Sequence, residues 1–297
     1  MYRSFHDITS TAKKLGPVKV AGLFPHSRET VQSAVDAMQA GLITPILVGV
    51  KDVISKSCED TQVIGKIQVI DQPDPQKAAD LCMEMTARGD VALVMKGNIV
   101  TTYLYRALIR KTKERAPDQT PCTLCFHEMK GLHKIFVITD PGVNILPDIE
   151  LKKKILTNAI NVVRKLGCHT PRVMALAAPT LNGAKSNASR EVEQLRDSAR
   201  QGYFGDCEFL EASNLMAAFP HGKIKEEKFP DIFLVPNIEA GNILVKSIDH
   251  LLMGVRQCAT IGGDGLITLT PSRSDGYEAR MVNIALGIVL STSTRSR

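Results

Sequence analysis

An α/β fold of two lobes, each built on a mainly parallel sheet with helices on both faces, is what this sequence predicts. Three observations carry that reading. Short, branched apolar runs bounded by turn residues alternate with helix-length amphipathic stretches from one end to the other. The chain has 297 residues, about twice a typical domain length. Hydrophobic residues make up 44% and charged residues 23%, which supplies a core and excludes bulk disorder.

Taken in order, residues 18–23, 45–48, 66–70 and 91–94 are expected as strands, because each is a short apolar run between turn residues. Residues 29–40, 75–87 and 101–111 between them are expected as helices. Val31, Ala34, Val35 and Met38 recur on one face of the first; Ala78, Ala79, Cys82 and Met85 do so in the second, and Gly89 closes it as a C-cap. The second half repeats the pattern, with strands expected at 135–138, 173–177, 232–235, 259–261 and 266–269. Its helices are expected at 149–166, 191–200, 241–252 and 277–290. Asp140-Pro141-Gly142 reads as a turn at a domain junction, and Gly262-Gly263-Asp264-Gly265 as another turn. In sheets of this kind ligands sit at the carboxyl ends of the strands.

Charge and composition narrow the function. Lys and Arg number 37 against 31 Asp and Glu, a formal net charge of +6. Aromatic residues are only 5% and tryptophan is absent, so a base-stacking surface has little material and nucleic acid is not expected as a partner. A pocket for an anionic small molecule needs only a few of the cations. The best apolar run, residues 282–290, is about half the ~18 residues that a membrane span requires, so no membrane association is expected. The opening Met1-Tyr2-Arg3-Ser4-Phe5-His6-Asp7 lacks the apolar stretch of a secretion signal. Seven cysteines, an odd number at low density, do not form a secreted disulfide scaffold. A cytoplasmic protein is expected.

Three segments place chemistry at strand ends. Met95-Lys96-Gly97-Asn98 leads through Thr101-Thr102 into a helix and offers backbone N–H groups, a hydroxyl and a cation to one anion. The plain alternative is a βα turn with Lys96 solvated; it is not a P-loop, since the first Gly and the Gly-Lys-Ser/Thr order are missing. Pro271-Ser272-Arg273-Ser274-Asp275-Gly276-Tyr277-Glu278 brings hydroxyls, a guanidinium and two carboxylates to the start of the last helix. Arg suits a phosphate or planar oxyanion, and a carboxylate there either serves as general base or, as Asp275 and Glu278 would, caps the helix and answers its dipole. Val235-Pro236-Asn237-Ile238-Glu239-Ala240-Gly241-Asn242 likewise follows a strand and opens a helix, with capping by Asn237 and Gly241 as the structural alternative. Cys122-Thr123-Leu124-Cys125, with His127 and His133 after it, lacks the second ligand pair of a structural zinc site. No metal is expected there, and the cysteines read as small apolar strand residues. No Gly-x-Ser-x-Gly, His-Glu-x-x-His or post-strand Gly-x-Gly-x-x-Gly occurs, which removes support for serine hydrolases, zincins and dinucleotide-dependent dehydrogenases.

In this order the segments resemble the phosphate acetyltransferase and phosphate butyryltransferase family, more closely its butyryl branch. Lys13 through Ala21 is similar to the family's opening strand, and Pro45-Ile46-Leu47-Val48-Gly49 to its second. Met95-Lys96-Gly97 with Thr102 and Arg106, Thr139-Asp140 through Asn144-Ile145-Leu146-Pro147-Asp148, Ile238-Glu239-Ala240-Gly241-Asn242, and Ser272-Arg273 with Asp275 and Glu278 complete the likeness nearly end to end. It implies a two-lobed fold like that of isocitrate and isopropylmalate dehydrogenases, usually dimeric: 1–140 as first lobe, 141–270 as second, and 271–297 as a C-terminal helix returning to the first. It implies reversible conversion of acyl-CoA and phosphate into acyl phosphate and CoA, through a ternary complex in the interlobe cleft without metal or acyl-enzyme. Coenzyme A enters as substrate, not cofactor, and the acyl chain is short, acetyl or butyryl. By position, Arg273 and Arg106 would bind phosphate and stabilise the oxyanion, Ser272 would donate to the thioester or leaving group, and Glu278 or Asp275 would take the thiol proton. Lys96, Gly97, Thr102, Asp140, Asn144, Glu239 and Asn242 would join the substrate site. The loops at 183–190 and 205–214 and Asn237 depart from the family pattern, so a diverged, inactive CoA- or acyl-phosphate-binding relative is the alternative.

Overall fold

Strands and helices alternate along the computed structural model, which describes residues 1–58, 61–179, 184–222, 224–271 and 275–295, without the side chains at 61, 62, 221 and 293–295. In chain order the first stretch is α1 (Phe5–Leu15), β1 (Val18–Leu23), α2 (Arg28–Gln39), β2 (Ile43–Gly49), α3 (Lys51–Lys56), α4 (Thr61–Ile64), β3 (Gln68–Asp71), α5 (Pro75–Arg88), β4 (Leu93–Lys96) and α6 (Thr101–Arg115). Next come β5 (Cys122–Glu128), β6 (Phe136–Thr139), α7 (Ile149–Lys165), β7 (Arg172–Ala175), α8 (Asn187–Arg200), β8 (Glu208–Phe209), α9 (Leu215–Ala218), β9 (Ile232–Leu234) and α10 (Ile238–Leu251). The chain closes with β10 (Val255–Ile261), β11 (Ile267–Leu269) and α11 (Tyr277–Arg295).

Two compact units result. Phe5–Pro121 and Gln257–Arg297 form the first; Met1–Ser4 and Cys122–Arg256 form the second. The divisions fall near residues 121 and 256 rather than at the expected 140 and 270. The reason is antiparallel pairing: β5 pairs with β6, so residues 122–140 go with the second unit, and β10 pairs with β11, so residues 257–270 go with the first.

In the first unit the strands run in the order β3-β2-β1-β4-β11-β10, all neighbours parallel except the last pair. Alternation along β2 decides which helix meets which face. Ile46 and Val48 enter one core with Ala78, Ala79 and Cys82 of α5 and Leu104 of α6. Leu47 points the other way, into a core with Val31, Ala34 and Val35 of α2. The caps follow the local sequence. Ser27 and Thr30 form a reciprocal capping box on α2, Asp74 accepts from Lys77 N at the start of α5, and Gly89 closes that helix at φ 82°. α11 is covered almost all round, packing on α1, α2 and β11, so its Ile284, Ala285, Leu286 and Ile288 are all buried.

The strands of the second unit run β5-β6-β9-β7-β8, parallel except for β5 against β6. Both α7 and α10 pack on β6. Asp148 and Asn237 cap those two helices, accepting from Leu151 N and Ala240 N, so Asn237 fills the capping role.

Several elements differ from expectation. The stretch beginning at Lys13 is not yet strand: 13–15 end α1, whose Phe5, Ile8 and Ala12 face α11. The third strand starts at Gln68, not 66, and β4 covers 93–96, not 91–94. The short β8 was not anticipated, since two residues carry no periodicity.

His127 on β5 is fully buried and stacked on Phe136, 5.3 Å between ring centroids. Its Nδ1 lies 3.0 Å from the Cys125 carbonyl. Burial pushes its pKa from 6.5 down to about 4, against the pull of Asp249. A depressed histidine pKa means the fold favours the neutral ring, so its contribution is complete above pH 6.5 and is lost as pH falls through 4. Denaturant titrations across that range are expected to show wild type losing about 3 kcal/mol relative to His127→Gln; parallel pH curves for the two proteins would refute this assignment.

Candidate active site

The first unit builds its site where β4 ends. Gly97 N donates to Leu23 O at 2.8 Å and Asn98 N to Phe24 O at 2.7 Å, strapping the turn after β4 onto the end of β1. A Cβ on Gly97 would lie 2.3 Å from Phe24 O and 2.8 Å from Leu23 O, so a side chain has no room. Asn98 Oδ1 accepts from His26 N at 3.1 Å and from Thr30 Oγ1 at 3.0 Å. The turns after β1 and β4 and the first turn of α2 are thereby tied together. His26 Nε2 accepts from Val50 N at 3.1 Å, which requires the neutral ring; burial holds its pKa below the ordinary value.

Lys96 is buried at this corner, with Nζ donating to Gly97 O at 3.2 Å. Beside it lies a pocket that Lys96 and Gly97 share with Pro25, Pro271, Arg280 and Asn283. Arg280, Asn283 and Ile284 reach it from α11 at helical spacing. Among the described residues Arg280 Nε is buried and has no hydrogen-bond partner, while Asn283 Nδ2 donates to Cys258 O at 3.0 Å. Two cationic side chains therefore edge a largely apolar recess. That combination suits an anion attached to a small apolar group.

The second unit carries its own cluster at the carboxyl ends of β6 and β9. Asp140 is buried and accepts from Thr123 N (2.9 Å), Gly142 N (3.1 Å), Val143 N (3.1 Å), Asn144 N (3.0 Å) and Asn144 Nδ2 (2.6 Å). Burial pushes its carboxyl pKa up, and these hydrogen bonds pull the other way. The loop it shapes abuts the start of α10, where Ile238 N donates to Ile145 O at 3.0 Å. A Cβ on Gly241 would lie 2.9 Å from Pro141 Cα, so the approach demands a glycine. Glu239 and Asn242 stand exposed in the first turns of α10.

A family described as phosphate acetyl/butaryl transferase matches residues 74–253, more than half of the chain. The chain belongs to that family. A phosphate butyryltransferase of Clostridium acetobutylicum is 25% identical to it, over 98% of this chain and 99% of its own. A phosphate acetyltransferase of Rickettsia felis is 27% identical, over 99% and 87%. Among solved structures, a phosphotransacetylase from Streptococcus pyogenes superimposes with a TM-score of 0.79 at 14% identity, covering 97% of this chain and 99% of its own. A branched-chain phosphotransacylase from Enterococcus faecalis does so at 0.75 and 20%, covering 92% and 99%. These two share the fold.

Of the residues that the sequence nominates in this phosphate acyltransferase, Lys96 and Gly97 line the pocket together. Thr102 and Arg106 stand exposed on α6, outside its lining. Glu278 is exposed in the first turn of α11 and Asp275 is half-buried just before it. Ser272 and Arg273 lie outside the described residues. Asp140 and Asn144 sit together in one loop, with the Asp140 carboxylate already engaged by that loop. Among the described residues no group of three or more His, Cys, Asp and Glu is placed to hold a metal ion; Cys122 is buried in β5, with Sγ near the Ile155 carbonyl.

Sequence reasoning missed Arg280, Asn283, Thr30 and Ser33. One signal was present: Arg280 occupies the inward stripe of α11, at 280, 283, 284 and 287, where an apolar residue is the norm. Gly97→Ala is expected to cost more than ~1 kcal/mol in denaturant-measured stability, because backbone and not a flexible side chain opposes the methyl; a neutral substitution would show that the turn can shift freely.

Proposed function

We propose that this chain catalyses the reversible exchange of a short acyl group between coenzyme A and phosphate, in a ternary complex without an acyl-enzyme. Phosphate acyl transfer as such follows from family membership. The observation that carries the finer reading is the recess edged by buried Lys96 and by Arg280, whose Nε has no partner among the described residues. An acyl phosphate is a short apolar group ending in an anion, and this recess offers a complement to both parts.

Starting from acyl phosphate, the CoA thiol loses its proton to Glu278 or Asp275, and the sulfur attacks the acyl carbonyl. The carbon–oxygen bond to phosphate then breaks, and phosphate leaves with the electron pair. Negative charge grows on the carbonyl oxygen during attack, so fixed cationic and hydrogen-bonding groups aimed at it lower the barrier directly. Arg273 and Arg106 are assigned to that oxygen and the phosphate, and Ser272 to the thioester or leaving group. Lys96, Gly97 and Thr102 complete the anion site in the first unit. Placing CoA and acyl phosphate side by side supplies much of the remaining acceleration. In the second unit, Glu239 and Asn242 are assigned to substrate, and the Asp140 carboxylate to shaping the loop that presents Asn144. A cytoplasmic homodimer with acyl-CoA, CoA and phosphate as its partners completes the reading. An inactive binding relative is not favoured.

Thiol release from acetyl-, propionyl- and butyryl-CoA is expected to depend on added phosphate. No phosphate-dependent release with any of the three would overturn the assignment. Arg273→Ala and Arg106→Ala are each expected to reduce kcat by roughly 10²-fold, measured in the same assay; an unchanged rate removes the role of that residue.

A further inference from the structure

The recess beside Lys96 and Gly97 is more apolar than an anion alone requires. Its wall consists of Gly22 on β1, Leu47 on β2, Leu269 on β11, Ala34 on α2 and Ile284 on α11. The neighbouring polar side chains are committed elsewhere. Ser33 Oγ donates to Glu29 O at 2.6 Å, and Thr30 Oγ1 to Asn98 Oδ1 at 3.0 Å. Asn283 Nδ2 is bonded to Cys258 O. Arg280, which also lines the recess, differs: its Nε is buried and has no hydrogen-bond partner among the described residues. A buried donor of that kind is costly unless a ligand oxygen meets it.

The wall is closely packed. A Cβ on Gly22 would lie 2.8 Å from Leu47 Cδ2, so the leucine already occupies the space over the glycine. Ala34 faces the same core from α2, where a larger side chain would enter the recess. Ile284 bounds it from the opposing helix.

Resting on the acyl-transfer reading, we propose that this recess holds the acyl chain, and that Ala34 and Ile284 set the chain length it accepts. The carbonyl or phosphate oxygen of the bound acyl group then meets Arg280. Ala34→Val shortens the recess and Ile284→Val lengthens it, each by a small change in a well-packed wall.

The experiment compares kcat/KM for acetyl-CoA and butyryl-CoA with phosphate in wild type and both variants, with thermal stabilisation by acetyl phosphate, butyryl phosphate and inorganic phosphate measured alongside. Ala34→Val is expected to lower the butyryl-to-acetyl ratio about tenfold or more, and Ile284→Val to raise it several-fold. Ala34→Val is also expected to lose stabilisation by butyryl phosphate while keeping that by inorganic phosphate. If wild type shows no turnover but the stabilisation pattern holds, the activity reading fails and the recess assignment stands. Unchanged ratios and stabilisation in Ile284→Val, together with the same in a folded Ala34→Val, overturn the assignment. So does a wild type that neither turns over nor is stabilised by either acyl phosphate.

Discussion

Gly97 has no room for a side chain against the Phe24 carbonyl, and the corner of the first unit beside the recess depends on that approach. Because the backbone after β4 lies directly on the backbone after β1, two hydrogen bonds close between them. Asn98 then reaches the His26 amide and the Thr30 hydroxyl, which fixes the start of α2 against the same turn. Lys96 immediately precedes this strap, so its side chain leaves from a fixed backbone rather than from a flexible loop.

Each unit solves a similar problem with different means. The first clamps a glycine turn between parallel strands and lets two helices, α2 and α11, wall an apolar recess beside a cation. The second buries a carboxylate, Asp140, and surrounds it with donors from its own loop, three of them backbone N–H groups within residues 142–144. A buried carboxylate is expensive unless hydrogen-bonded, and here the bonds hold the loop in one conformation beside the α10 N-terminus. The net charge of +6 is too diffuse to explain either cluster. What counts is where individual cations are held and which atoms they leave without partners.

Much of the fold was legible in the residues. The apolar faces of α2 and α5, the C-cap at Gly89 and the parallel alternation follow from local rules that tertiary packing reinforces. The Met95-Lys96-Gly97 segment was legible as well, because a strand end, a cation and a glycine before a helix form a local pattern. α1 was harder to see: its lysine-rich end resembles the approach to a strand, and its helicity is completed by burial of Phe5, Ile8 and Ala12 against α11.

The sequence by itself determined the strand–helix alternation, the candidate anion segment and the family, since each rests on residues close together or in a fixed order. Only the tertiary structure decided where the units divide, because antiparallel pairing of β5 with β6 and of β10 with β11 is not marked by any local signal. It likewise decided that Arg280 and Asn283 of the last helix stand in one pocket with Lys96, nearly two hundred residues earlier in the chain. Distance along the chain hides such partners. A side chain's role in a site depends on which surfaces fold against it, and that is set by the packing of the whole unit.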